Sequence, residues 1–508
     1  MKRYLYLWHR WLGIVLCLFM AMWFISGVVM MYVGYPKLTP REHLAHLPAL
    51  DLQGCCRSLD EVLAAGGQSD APSSIRLSMV GGVPRYLLGY AGQPSVAVDA
   101  RSGQRLSLVD EAQAMAAARQ FAADASARYQ GLVQEDVWTH SRALDSERPL
   151  HRVSLADEAQ RSLYISSRTG AVVRDATGQE RSWNWLGAWL HWLYPLRGGA
   201  LSGWWADIVI YLALAATLMA VLGSVIGLLR WRLQRPYRSG SRSPYSGFAR
   251  WHHVGGLLCG ALVISWIFSG LMSMNPWRLF DAAAPLSTAA YQGGELRSRA
   301  FALALPEALR RFEQAGLQAR ELEWRLIAGQ GYLVAYDGTG QTRILAMADG
   351  QVSSQLPQAT LERAARAMHG QGQMRSERLG AYDFYYYRRG EQSMLGHLEQ
   401  RLPVLRVRFD DPGETWVHLD LHTGAMLGQM DSGKRTSRWL FALLHSWDWL
   451  PLLENRPLWD VLMLLFSAGG LLISLTGAVL GWRRLRRPRR VRRAQRRPGL
   501  AAPVGDVP

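Results

Sequence analysis

A stretch of apolar residues near the amino terminus occurs twice in this chain of 508 residues. Residues 8–31 (WHRWLGIVLCLFMAMWFISGVVMM) align with residues 251–274 (WHHVGGLLCGALVISWIFSGLMSM) at an offset of 243 positions. Two further stretches follow an offset of 254, in which WLGAWLH ends at His191 and WLFALLH ends at His445. The chain therefore contains a duplicated unit, and each copy keeps a histidine near both ends of its helices.

Four apolar runs reach the length of about 20 residues that is needed to cross a bilayer. They are Leu12–Tyr32, Ile208–Leu229, Val254–Met274 and Leu458–Leu480. The first run follows two basic residues, but it is too long for a secretory signal and lacks a small-residue cleavage site. We therefore predict a retained anchor and an integral membrane protein with a four-span helical bundle.

Basic residues are concentrated in the short flanks of these spans, and the chain has a net charge of +17. The stretch from Arg230 to Arg250 is rich in arginine, and the sequence after Trp482 reads RRLRRPRRVRRAQRRP. The positive-inside rule then places both termini in the cytoplasm, and the two long polar segments lie outside. We expect the basic tail to bind anionic lipid, and we expect no nucleic-acid partner.

These boundaries predict eight parts along the chain. They are a first span (1–34), an exported domain (35–182), an interfacial helix with the second span (183–232), an arginine-rich loop (233–250), a third span (251–275), a second exported domain (276–437), an interfacial helix with the fourth span (438–483) and a basic tail (484–508). The tryptophan-rich stretches that begin the third and seventh parts suit the boundary between membrane and water.

The exported segments contain a repeated pattern of a short strand, a turn with glycine and another strand. The copies are Pro94–Ser107, Arg161–Val173, Thr342–Ser354 and Thr415–Leu427. Helix-like stretches precede several of them, so we predict that each exported domain is an α+β arrangement of two such modules. Cys55 and Cys56 lie in the first domain, where a disulfide is permitted, although adjacent cysteines close only a strained ring.

Four of the 13 histidines obey the internal repeat and lie at or near membrane depth: His9, His191, His252 and His445. A histidine that faces lipid is unfavourable, so it normally turns inward toward a partner or a cofactor. The alternative is that each side chain caps a helix end or bonds a neighbouring carbonyl. Parallel repeats that share an axis along the membrane normal would place His9 opposite His252 and His191 opposite His445.

Two imidazoles that converge from opposite helices are what a six-coordinate b-type haem requires, so we predict two haems. Zinc is disfavoured because two ligands leave its tetrahedral shell half empty. His253 is a second candidate beside His252, although the repeat favours His252. Trp23 and Trp266 form a symmetric pair between the two layers, where they either pack or shorten an electron path.

Several stretches together resemble the PepSY-associated transmembrane family. They are WHRWLGI at 8–14, FDDPGETWVHLDLHTGAML at 409–427, RWLFALLHSWDWLP at 438–451 and GAVLGWRR at 477–484. The resemblance extends from Trp8 to about Arg484, and the strand-glycine-strand units look like PepSY modules. It implies four spans with haem b between them and a bacterial inner-membrane reductase that serves iron acquisition from siderophores.

The resemblance also implies partners: a ferric siderophore, the lipid membrane, a separate electron donor and other siderophore-uptake proteins. The chain has no G-x-G-x-x-G after a strand, so we expect the electrons to come from quinol or from a cytoplasmic reductase. Two alternatives remain open. The helices could anchor exported binding or inhibitory modules that have no redox role, or the chain could transport a siderophore or haem.

An aromatic and basic stretch, AYDFYYYRRG, lies in the second exported domain. Tyr385, Tyr387, Arg388 and Arg389 are our candidates for substrate binding, because Arg and Tyr suit an anionic and partly aromatic chelate. The alternative is an ordinary strand with a solvated, charged end. His418 and His422, in the last strand-glycine-strand unit, are candidates to face the outer haem.

Overall fold

The structure is a computed structural model that describes residues 2–197, 200–281, 286–370, 372–394 and 396–486. Most of the predicted basic tail therefore lies outside the described residues. The α-helices are α1 (Lys2–Tyr32), α2 (Pro40–His46), α3 (Leu59–Gly66), α4 (Glu111–Phe121), α5 (Gly178–Asn184), α6 (Ala188–His191), α7 (Trp205–Arg230), α8 (Gly247–Ser273), α9 (Thr288–Gln292), α10 (Leu305–Gln314), α11 (Gln358–His369), α12 (Ser432–Ser437), α13 (Leu444–Ser446), α14 (Leu450–Leu453) and α15 (Arg456–Leu485).

Four of these helices, α1, α7, α8 and α15, are long and apolar enough to cross a membrane, as predicted. Each helix packs against two others, so that α1 contacts α7 and α15 while α8 contacts the same two. Leu16, Met20, Phe24, Met219 and Trp266 contribute to the buried core of this bundle. Large apolar side chains also cover its outer surface, which is the arrangement that lipid contact requires.

The strands fall into three antiparallel sheets outside the bundle. They are β1 (Ser74–Val80), β2 (Val83–Gly89), β3 (Val96–Asp99), β4 (Ala127–Val133), β5 (Leu150–Leu155), β6 (Ser162–Ser166), β7 (Val172–Ala176), β8 (Glu321–Ile327), β9 (Gln330–Tyr336), β10 (Thr342–Ala346), β11 (Val352–Ser353), β12 (Met374–Leu379), β13 (Val404–Phe409), β14 (Trp416–Asp420) and β15 (Met426–Met430). Their orders are β11-β10-β9-β8-β1-β2-β3, β4-β5-β6-β7 and β12-β13-β14-β15.

All four predicted strand-glycine-strand units form hairpin turns of one kind. The turn glycines are Gly103, Gly170, Gly350 and Gly424, and their φ angles lie between +69° and +76°. In each turn the glycine N–H donates to a carbonyl four residues earlier, at 2.8 to 2.9 Å. Because a side chain is unfavourable at this φ, glycine is the residue that closes the turn at low cost.

The two segments that the sequence analysis predicts to be exported, residues 35–182 and 276–437, share one sheet. Strand β1 of the first segment pairs with β8 of the second, and Ile75 lies opposite Trp324. One apolar core takes residues from both segments. The buried Glu321 carboxylate adds a polar link, since it lies 3.0 Å from His43 Nε2 and 3.7 Å from Arg76 Nη1.

A disulfide joins Cys55 and Cys56 in the structure. Because adjacent cysteines close only a strained ring, such a bridge was the less favoured interpretation of the sequence.

We predict that Leu322→Ala destabilises both segments together by about 3 kcal/mol, because the fully buried Leu322 belongs to their shared core. Hydrogen exchange should rise in β2 as well as in β9. Leu108→Ala, at a side chain that is 58% exposed, is the control and should change little. Faster exchange in β9 while β2 stays protected would show that the segments unfold independently.

Candidate functional site

The structure brings the four repeated histidines together as two pairs. His9 on α1 faces His252 on α8, and their ring centroids are 6.2 Å apart. His191 at the end of α6 faces His445 in α13, with ring centroids 6.3 Å apart. These are the pairs expected from the repeat, although their role as ligands stays a prediction.

Every one of these imidazoles has its Nδ1 atom held by the protein. In the first pair, His9 Nδ1 lies 3.1 Å from the Met219 carbonyl, and His252 Nδ1 lies 3.1 Å from the Ile473 carbonyl. In the second pair, His191 Nδ1 lies 2.9 Å from Ser26 Oγ, and His445 Nδ1 lies 3.1 Å from Ser269 Oγ.

Within the described residues, none of the four Nε2 atoms has a hydrogen-bond partner. Each pair of rings therefore contains two ring nitrogens that have no hydrogen-bond partner in the described part of the chain. Contacts of this kind on the opposite nitrogen fix the orientation of a ligating imidazole and raise its basicity.

Glycine lies beside each imidazole. A Cβ atom added at Gly223 would come within 2.6 Å of His9, and one at Gly477 would come within 3.1 Å of His252. At the second pair the corresponding distances are 3.6 Å from Gly27 to His191 and 3.5 Å from Gly270 to His445. Larger residues at Gly223 and Gly477 would displace the rings, so these two glycines keep room for them.

A cavity of about 650 Å³ contains the first pair. Seven glycines line it: Gly13, Gly223, Gly227, Gly256, Gly260, Gly477 and Gly481. Arg10, near the start of α1, and Arg483 and Arg484, in the last turn of α15, lie at one end of its lining. The cavity thus combines flat, small-residue walls with cations that suit a ligand bearing carboxylates.

The chain reverses direction directly after each histidine of the second pair. Leu193 and Trp447, two residues beyond His191 and His445, have left-handed φ angles of +52° and +51°. An indole of the next long helix holds each reversal: Trp205 of α7 donates to the Trp192 carbonyl at 2.7 Å, and Trp459 of α15 donates to the Ser446 carbonyl at 3.0 Å. Such non-glycine conformations persist where the surroundings enforce them.

His253, the second candidate in the first pair, has both ring nitrogens in hydrogen bonds. Its Nδ1 lies 2.8 Å from Ser243 Oγ and its Nε2 lies 2.9 Å from the Gly227 carbonyl. It therefore has no free nitrogen for a ligand, and the geometry favours His252.

Aromatic side chains fill the bundle between the two pairs. Ser26 follows His9 by 17 positions along α1, so the pairs are about 25 Å apart along the helix axis. Trp23 donates from Nε1 to the His191 carbonyl at 3.0 Å. The rings of Phe24 and Trp266 have centroids 5.8 Å apart. Trp23 and Trp266 therefore each contact a histidine of the second pair, since the Trp266 carbonyl lies 3.2 Å from His445 Nδ1.

The predicted substrate-binding residues point in two directions. Tyr387 donates to Asp448 Oδ2 at 2.8 Å, and Arg389 Nη1 lies 3.2 Å from the same oxygen. Tyr385 accepts a hydrogen bond from Trp439 Nε1 at 3.1 Å. Arg388, in contrast, lines a separate cleft outside the helical bundle. Three of the four side chains thus contact the segment that carries His445.

Asp448 is the centre of this contact, and the sequence analysis did not single it out. It is fully buried, and it follows His445 by three positions. Arg438 donates to its backbone carbonyl and stacks on the Tyr387 ring at 4.3 Å. Burial raises the pKa of Asp448, while Arg389 opposes that rise.

His418 and His422 have other partners than the second pair. Arg406 Nε donates to His418 Nε2 at 2.9 Å, and burial together with Arg406 lowers the pKa of His418 to about 4. His422 lies 3.1 Å from the Ser354 carbonyl. Among the described residues there is no group of three or more His, Cys, Asp or Glu side chains that could hold a metal ion.

A comparison with known families matches residues 6–369 to the family described as PepSY-associated TM region. The chain belongs to this family. The match includes His9, His191 and His252 and ends at the last residue of α11, so His445 lies beyond it. No curated protein matches the chain.

We predict that Asp448→Ala destabilises the protein by about 3 kcal/mol, because removing a buried carboxylate leaves Arg389 without its ion-pair partner. Hydrogen exchange should rise in residues 438–448 and 385–389. Glu391→Ala is the control, since the exposed Glu391 lies 3.8 Å from Arg388 and contributes little. Unchanged exchange in Asp448→Ala would contradict a bracing role for this carboxylate.

Proposed function

We propose that the chain is an inner-membrane di-haem b-type reductase that moves electrons from the cytoplasmic side, or from quinol, to a ferric siderophore. The spacing of the two imidazole pairs carries the proposal. An imidazole nitrogen lies about 2 Å from a ligated metal and about 1.2 Å from its ring centre, so two rings on opposite sides of one metal have centres about 6.4 Å apart. The observed 6.2 Å and 6.3 Å agree with that value.

The residues around the first pair fit haem b in shape and charge. The seven glycines leave flat walls beside the imidazoles, and Arg10, Arg483 and Arg484 would hold the propionates. The Nδ1 contacts leave Nε2 as the ligating atom at all four positions. Haem bound at both pairs would supply one-electron transfer across the membrane.

The contacts also support two parallel repeats. The Met219 and Ile473 carbonyls that hold His9 and His252 are 254 positions apart, the offset of the second repeated stretch. Ser26 and Ser269, which contact His191 and His445, are 243 positions apart, the offset of the first stretch. Together with the arginines of the 233–250 loop, this supports cytoplasmic termini and two PepSY-like exported regions.

Each ferric chelate would take one electron, so one quinol, which gives two electrons and releases two protons, would reduce two chelates. Reduction favours release of the iron, because the hard oxygen donors of a siderophore prefer ferric iron to ferrous iron. A cytoplasmic reductase is the other donor consistent with basic flanks at the inner face. Other siderophore-uptake proteins would supply the chelate or accept the released iron.

We expect purified protein from haem-replete cells to be red, with a b-type spectrum and about two haems per chain. His252→Ala should lose the inner haem and retain about one, because its partner His9 alone cannot complete the axial pair. His445→Ala should lose the outer haem and also retain about one. The haem content is measured as the pyridine haemochrome relative to protein.

His253→Ala is the matched control for His252→Ala, since the two residues are adjacent and both of the His253 nitrogens are bonded elsewhere. This variant should keep about two haems. A colourless wild-type preparation would refute the reductase and favour the anchored binding module or the transporter. Loss of haem in His253→Ala but not in His252→Ala would refute the assignment of the inner ligand.

A further inference from the structure

A cleft of about 490 Å³ lies in the exported region, apart from the histidine pairs. Its walls come from both segments. They are residues 39–41 before and within α2, residues 339–343 in the β9–β10 turn and at the start of β10, and residues 396–402 before β13. Its volume suits a chelate-sized molecule rather than a single small ion, since pockets for compact organic ligands span about 300 to 1,000 Å³.

The cleft is positively charged. Arg41, Arg343, Arg388 and Arg401 line it, opposed by Glu391 and Glu399. Arg401 lies 2.8 Å from Glu399, whereas Arg388 and Glu391 are 3.8 Å apart and both more than half exposed. Neither Arg41 nor Arg343 has an ion pair with a carboxylate of the described chain. The excess positive charge would favour an anion, and Tyr382 adds an aromatic face.

Two lining side chains have buried polar atoms without a hydrogen-bond partner in the part of the chain that the structure describes. They are His397 Nδ1 and Gln400 Oε1. Buried polar atoms are nearly always satisfied in folded proteins, so a polar ligand in the cleft would remove an unfavourable feature of the protein alone.

The cleft adjoins the segment that carries His445. Along residues 387–389, Tyr387 and Arg389 turn toward Asp448, while Arg388 between them lines the cleft. The following loop also contacts the outer end of α1, because Gln392 Nε2 donates to the Met31 carbonyl at 3.3 Å. Neighbouring side chains of residues 387–389 thus contact two places. Tyr387 and Arg389 contact Asp448 in the segment that carries His445, and Arg388 lines the cleft.

We infer that this cleft binds the anionic chelate of ferric iron and holds it beside the outer histidine pair. The inference rests on the proposed function and names its substrate site. Arg388 and Arg343 would contact anionic oxygens of the chelate, and one electron from the reduced outer site would convert ferric iron to ferrous iron. This reduction transfers only the electron. The oxygens that chelate the iron keep their covalent bonds within the ligand, and no proton is required.

Of the four substrate-binding residues predicted from sequence, Arg388 alone belongs to this site in the described chain. Tyr385, Tyr387 and Arg389 belong to the support of the His445 segment instead.

The test uses the full chain in detergent and a redox-inert probe, the gallium(III) complex of a hexadentate tris-catecholate with a charge of about −3. Binding is measured by titration calorimetry for the wild type and for Arg343→Gln/Arg388→Gln. We expect this double variant to bind at least about tenfold more weakly, because two charge-assisted hydrogen bonds are lost. Wild-type affinity should also fall as the salt concentration rises.

The matched control is Arg299→Gln/Arg375→Gln, which makes the same change in net charge at two exposed arginines outside the cleft lining. It should bind like the wild type. An equal loss of affinity in both double variants would show that only the overall charge matters, and it would overturn the inference. Equal affinity in the wild type and the cleft variant would overturn it as well.

The ferric form of the same chelate separates this inference from the proposed function. In stopped-flow experiments with dithionite-reduced protein, the concentration for half-maximal haem oxidation should rise at least about tenfold in the cleft variant. Oxidation by the chelate with no dependence on the cleft would refute the inference and leave the reductase standing. Protein without haem that still binds the gallium complex through the cleft would refute the reductase alone.

Discussion

An imidazole inside an apolar bundle is stable only when its nitrogens have partners, and this requirement governs the arrangement of the membrane helices. Each of the four repeated histidines has its Nδ1 held by a carbonyl or a hydroxyl, and none of the four Nε2 atoms has a hydrogen-bond partner within the described residues. The glycines beside the rings let the neighbouring helices approach without displacing them. The helices of the bundle are thus packed around two pairs of imidazoles, which matches the need of a membrane protein to keep polar groups away from lipid.

The region outside the bundle is joined to it by specific contacts. Its two segments share one sheet through β1 and β8, so they form a common core instead of two independent domains. Asp448 then joins this region to the segment with His445, since it accepts from Tyr387 and pairs with Arg389. A change in this region can therefore reach the second histidine pair through this buried carboxylate.

Much of this architecture was predictable because it follows local patterns. Apolar runs of sufficient length identified the four spans, the internal repeat identified which histidines face each other, and the turn glycines located all four hairpins. The pairing of β1 with β8 was not predictable. The two strands are more than 240 positions apart in the sequence, and the periodicity of a strand does not indicate which other strand it pairs with. The role of Asp448 was not predictable either, because a single acidic residue in an aromatic stretch does not form a sequence pattern.

The alternation along Tyr387, Arg388 and Arg389 shows a further limit of sequence reasoning. The composition of this stretch indicated an aromatic and basic site, but the direction of each side chain depends on the packing of the His445 segment against it. His253 is a similar case, because only its contacts with Ser243 and Gly227 distinguish it from His252.

Each imidazole pair takes one ring from residues 1–230 and the other from residues 247–485. Either half alone would carry a single ring at each depth, so it could complete a pair only by meeting a second copy of itself. An ancestor with one such unit would therefore have worked as a twofold-symmetric homodimer, and fusion of two copies would have made that association permanent. The fused chain is then free to let its two halves diverge.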